Sequence, residues 1–130
     1  MKMNKKSFTL VEIMIVVAII ALLAAIAIPN LTRTKVNANN ATAQASLKSI
    51  AVALENYYSI NNSYPASTSL LIGAAPPYLS KDYFTGTHNG FTYTATLAAY
   101  SYSVLTAPIS SAQGTASYTI TTGGVLVQNP

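Results

Sequence analysis

Residues 5–30 read KKSFTLVEIMIVVAIIALLAAIAIPN, and the organisation of the chain follows from this stretch. From Phe8 to Ile28 there are 21 residues, of which only Thr9 and Glu12 are not apolar. As a helix the run would be roughly 31 Å long, enough to cross a bilayer core of about 30 Å. Lys2, Lys5 and Lys6 precede it, and the positive-inside tendency keeps such a basic end in the cytoplasm. The expected topology is a single pass, N-in, with everything after Ile28 outside. Glu12 is the odd member. A charged carboxyl at the centre of a span costs on the order of 2.5–3.5 kcal/mol on insertion scales and is a functional candidate by default. It either lies near the cytoplasmic interface, hydrated or paired with Lys5 or Lys6, or meets a positive partner when the protein assembles.

The whole chain has 130 residues, 51% of them hydrophobic and only 8% charged, about a third of the charge usual in a soluble domain. That allows one domain beyond the apolar run. The formal charge of +4 is concentrated at the start. After the first seven residues, Arg33, Lys35, Lys48 and Lys81 face Glu12, Glu55 and Asp82, which leaves no basic stripe for a phosphate backbone. Nucleic acid is therefore not an expected partner. The absence of Cys excludes disulfides, thiolate metal sites and thiol catalysis.

Pro29 closes the apolar run, where it must stop or kink a helix, because it lacks an N–H and crowds the preceding turn. Asn30 to Ser59 contains neither Gly nor Pro and reads as helix. Leu47, Ile50, Ala51, Leu54, Tyr57 and Tyr58 recur at three- and four-residue spacing, with Lys48 and Glu55 off that stripe. The expectation is one long helix bent at Pro29, ending near residue 59 at Asn61-Asn62-Ser63-Tyr64-Pro65. A loop over 60–90 follows, with a short helix around Ser67 to Ile72. From Phe91 the period becomes two: Phe91, Tyr93 and Ala95, then Tyr100, Tyr102 and Val104, then Tyr118 and Ile120. Gly123-Gly124 breaks the chain before a last strand over Val125 to Gln128. Three or four antiparallel strands with one apolar face need a cover, and the stripe on 47–58 is the available one. The fold class is α+β.

The string KKSFTLVE at Lys5–Glu12, the apolar run, AIPN at Ala27–Asn30 and ASLKSIAVALENYYSINNSYP at Ala45–Pro65 together resemble the type IV pilins and the type II secretion pseudopilins. The resemblance covers about half the chain. It implies a pilin-like fold, a long N-terminal helix whose outer half packs on the sheet. It also implies a leader over 1–7, cut between Ser7 and Phe8 by a dedicated prepilin peptidase, with N-methylation of Phe8. Ser7 departs from the Gly usual before the cut. Residues 8–28 would be the transmembrane and filament-core helix and 29–130 the globular domain. Glu12, at the fifth mature position, would neutralise the N-terminal amine of a neighbouring subunit during assembly. The implied partners are the cytoplasmic membrane, the pilus assembly machinery and further copies of the chain. The protein would sit in the bacterial inner membrane and then in an extracellular pilus, or in a periplasmic pseudopilus. Major pseudopilins typically bind calcium through several acidic side chains, whereas Asp82 stands alone here, and hard cations need many oxygens.

Two rivals use the same residues. Met1–Lys6 and Ala25-Ile26-Ala27 would serve as an ordinary secretory signal, releasing a soluble domain at Ile28. An uncleaved anchor would carry a non-polymerising binding domain. No enzyme is expected: Glu55 reads as a solvated helix face, Asp82 as a turn residue and His88 as a loop residue, and G-x-S-x-G and metal-ligand spacings are absent. No cofactor or metal is expected. The tyrosines read as core filler with hydroxyls kept wet rather than as a conducting stack. The N-x-S/T sequons at Asn30, Asn40 and Asn61 read as chance.

Overall fold

The computed structural model of the chain describes residues 7–129. Lys2, Lys5 and Lys6, and with them most of the expected leader, lie outside the described residues. The chain divides into two units, one ending at Thr34 and the other beginning at Lys35.

Helix α1 runs over Leu10–Asn61, 52 residues, and continues through Pro29 rather than stopping there. Just after that residue, Thr32 and Thr34 donate their hydroxyls to the carbonyls of Ile28 and Asn30, at 3.1 and 2.9 Å, the back-bonding that Thr adopts inside helices. In the first unit every side chain of α1 is exposed except the half-buried Ala24. In the second unit α1 buries Val36, Ala43, Ser46, Leu47, Ile50, Ala51, Ala53 and Leu54, the expected stripe extended towards its N-terminal side. Asn62 ends the helix at a φ of 54°, a left-handed conformation that Asn tolerates, and its N–H bonds to Tyr58 O at 2.8 Å.

A short helix, α2 (Ser69–Ile72), lies in the connection that follows. Four strands complete the unit: β1 (Phe91–Ala98), β2 (Ser101–Pro108), β3 (Ser117–Thr121) and β4 (Val125–Asn129). They form one antiparallel sheet in the order β1-β2-β3-β4. Phe91, Tyr93, Tyr102, Val104, Thr106, Tyr118 and Ile120 supply its buried face, which joins the α1 stripe and Tyr64, Leu71 and Leu79 in one core. The architecture is the expected α+β pilin-like fold, with four strands. The alternation on β2 is Tyr102, Val104 and Thr106; Tyr100 lies in the β1–β2 turn and is 76% exposed. Thr106 is wholly buried because its hydroxyl donates to Thr92 O at 3.0 Å, which removes the cost of an orphaned donor.

Candidate functional site

The expected assembly residues sit at the start of α1. Ser7 and Phe8 precede the helix, and Phe8 is 82% exposed. Four residues on, Glu12 occupies the first turn. Its Oε2 accepts the Thr9 N–H at 2.8 Å and the Thr9 hydroxyl at 3.0 Å, while Thr9 Oγ1 accepts the Glu12 N–H at 3.2 Å. This reciprocal arrangement is a capping box, which satisfies two backbone donors that a helix start otherwise leaves without partners. Thr9 is a participant that the sequence reading passed over as a mere interruption of the apolar run. The T-x-x-E spacing was the available signal.

From Leu10 to Leu31 the helix presents Leu, Ile, Val and Met side chains in every direction, more than half of each exposed. Its most apolar 18-residue window has a mean hydropathy of 3.0, long and apolar enough to cross a membrane. A helix that is hydrophobic all round requires a membrane or other apolar partners.

The profile of the prokaryotic N-terminal methylation motif matches residues 2–28. The chain is 45% identical over 69 residues to a type IV wide pilus major component of Thermus thermophilus, 53% of each chain. It is 41% identical over 73 residues to a type IV major pilin of Myxococcus xanthus, covering 56% of this chain and 33% of the relative. It is 38% identical over 64 residues to a type II secretion core protein G of Pectobacterium carotovorum, covering 49% and 41%. Over about half its length the chain is similar to type IV pilus proteins and to type II secretion core proteins G. The chain spans about half the length or less of these curated relatives.

A second polar constellation lies in the unit beginning at Lys35. Glu55, expected on a solvated face, is half-buried. Its carboxylate accepts the Tyr64 hydroxyl at 3.1 and 3.2 Å, and its Oε1 accepts the Gly123 N–H at 3.0 Å. Tyr102 Oη accepts the neighbouring Gly124 N–H at 3.2 Å. One carboxylate on α1 thus fixes both the turn before β4 and the start of the loop. Burial first, and the Glu55 carboxylate second, push both the Tyr64 and Tyr102 hydroxyls up to about 12. Asp82 is a turn residue as expected: its carboxylate accepts the Phe84 N–H at 2.8 Å and the Thr85 hydroxyl at 2.7 Å, and these bonds lower its pKa. His88 Nε2 lies 3.2 Å from Thr85 O.

The raised Tyr64 and Tyr102 hydroxyls make this unit sensitive to alkali. Each folded-state pKa lies above the ordinary 10.0, so the associated stabilisation is whole below about pH 10 and is lost as the pH rises towards 12. In a titration of tyrosine absorbance, Tyr64, Tyr102 and Tyr93, whose hydroxyl burial also raises, should ionise late. Glu55→Gln, whose amide oxygen still accepts, should bring part of that shift back and lower stability by less than the about 1.5–3 kcal/mol of a hydrogen bond to a charged group. An unchanged titration would show that the carboxylate does not act on these hydroxyls.

Proposed function

We propose that the chain is the structural subunit of a type IV pilus-like filament. A leader is cut between Ser7 and Phe8, Phe8 becomes the methylated N-terminus, and residues 8–28 hold the subunit in the cytoplasmic membrane, N-in, until it is drawn into the polymer. The single supporting observation with most weight is a helix apolar on all sides with one carboxylate, Glu12, in its first turn. In a membrane that surface meets lipid; in a polymer of identical subunits it meets other copies of itself, and heterologous contacts that do not close produce filaments. Glu12 then faces the Phe8 ammonium of a neighbour, because either charge left alone in an apolar medium costs several kcal/mol. Pro29 gives the helix a position at which it bends.

A pseudopilus subunit is the second reading, and the type II secretion relatives favour it. The pilus reading is preferred because the relatives with 45% and 41% identity are pilus proteins, and because the Asp82 carboxylate is already engaged by Phe84 and Thr85.

The test is the intact mass and first residue of the protein recovered from cells, together with electron microscopy of the sheared surface fraction. N-methylated Phe8 in filaments is the expected result. A chain starting at Ile28 would overturn the reading, since it would carry neither Glu12 nor the apolar run.

A further inference from the structure

We infer that the groove beside Glu55 receives the Lys48 side chain of a second copy of this chain, lying parallel to the first and displaced along α1 towards its C-terminal end. The choice of a second copy rests on the filament reading above. In the unit beginning at Lys35 an open groove of about 510 Å³ lies between α1 and the β3–β4 turn, and Ala51, Val52, Ile120 and Glu55 contribute to its lining. An apolar trough with one carboxylate complements a lysine, whose methylenes pack on apolar surface while its ammonium keeps a polar partner.

The Glu55 carboxylate has room for such a partner. The donors it accepts, the Tyr64 hydroxyl and the Gly123 N–H, are both neutral, and Oε2 takes only the phenol, at 3.2 Å. Its charge is therefore not offset, and Oε2 keeps acceptor capacity. Lys48 of the same chain also lines the groove and is exposed. It stands seven residues before Glu55, about 10.5 Å of helix rise, and helix side chains lean towards the N-terminus, which takes its ammonium away from Glu55.

The proposed polymer sets how far copies are displaced. For Glu12 of one copy to face the Phe8 ammonium of the next, the two are offset by four residues, about 6 Å along the helix. Lys48 of that next copy then falls three residues short of Glu55, about 4.5 Å, a gap that the flexible lysine stem covers. Arg33 and Lys35 would need offsets of about 30 Å or more, and Lys81 already lies over the Tyr83 ring, 5.3 Å from its centroid. The copies stay parallel, as one membrane with every N-terminus on one side requires. Each gives its Lys48 to one neighbour and takes a Lys48 from another, a heterologous contact that propagates instead of closing.

A carbodiimide joins a carboxylate to an amine in contact with it and leaves no spacer. Sheared filaments of the full-length chain treated with it should yield, after digestion, a peptide linking Lys48 to Glu55. Filaments co-assembled in one cell from Lys48→Gln and Glu55→Gln chains decide whether that link runs between copies, since neither chain carries both groups. The mixture should keep at least about a fifth of the linked peptide found in unaltered filaments. Its absence from the mixture, or from unaltered filaments, would overturn the inference. Lys48→Glu, which sets two carboxylates together, should lower filament yield at least tenfold at unchanged abundance in the membrane; a normal yield would also overturn it. Microscopy of the same samples separates the two proposals. Filaments without the linked peptide remove the Lys48 contact and leave the polymer standing, whereas a membrane-held chain that never forms filaments removes the filament reading and the second copy with it.

Discussion

Glu12→Ala is expected to leave the chain in the membrane fraction at its normal abundance and to lower filament yield by more than about a hundredfold. Breaking one side of a buried ion pair costs about 3–5 kcal/mol because the other charge stays desolvated, and in the proposed polymer the stranded charge is a neighbour's Phe8 ammonium. The alanine also removes the acceptor that Thr9 uses at 2.8 and 3.0 Å, so a weakened helix start must be told apart from a lost pair. Glu12→Gln makes the separation. Its amide oxygen still accepts from the Thr9 N–H, but it carries no charge. Filaments absent in both variants are the expected outcome, scored by microscopy and by the pelleted fraction. Normal filaments in the Gln variant would assign Glu12 to capping alone.

The second large effect concerns Phe91, which is wholly buried. Phe91→Ala is expected to destabilise the unit beginning at Lys35 by about 3–5 kcal/mol, through lost transfer energy and the cavity left behind. Against the 5–15 kcal/mol typical of a whole domain, that brings it close to unfolding at ambient temperature. Gly114 lies against the same ring: a Cβ there would meet Phe91 Cζ, sit 2.8 Å from Phe91 Cε2 and 2.9 Å from Pro108 Cβ. Gly114→Ala should therefore cost about 1–3 kcal/mol by overpacking. In a Phe91→Leu background the added methyl has room, so the double variant should be more stable than the sum of the singles by at least about 0.5 kcal/mol. Urea denaturation of the full chain in detergent, followed by near-ultraviolet dichroism, measures both. Strict additivity would show that Phe91 and Gly114 do not share a contact.

What was legible in the sequence is what has a short period. The α1 stripe repeats every three to four residues and was visible as Leu47, Ile50, Ala51 and Leu54. The strands repeat every two, and Asn62 and Gly123-Gly124 mark their stops with residues that accept a left-handed backbone. Tyr100 was misplaced because the β1–β2 turn, Ala99-Tyr100, contains no Gly, Pro, Asn or Asp, so the alternation seemed to pass through it. The bond from Gly123 to Glu55 could not be read from the neighbourhood of Glu55. Its partner Gly123 is 68 residues away, and only the closing of α1 over the sheet brings a carboxylate to that amide. The same holds for Asn40, whose amide pairs at both ends with Thr115, 75 residues on. Thr9 and Glu12 are a different case: their spacing was in plain view, but the charge in an apolar run drew attention to what Glu12 meets in other chains and away from what it meets in its own.

That local partnership bears on how a filament of such subunits would come apart. In the isolated chain the Glu12 carboxylate already has two donors on Thr9. Entry into a polymer is then an exchange of partners for this carboxylate, and departure is the exchange run backwards, with its Oε2 hydrogen-bonded at either end. The net gain per subunit is the difference between two satisfied states, smaller than the strength of either. In the proposed polymer, a carboxylate with somewhere to return to would ease a subunit's departure as well as its entry.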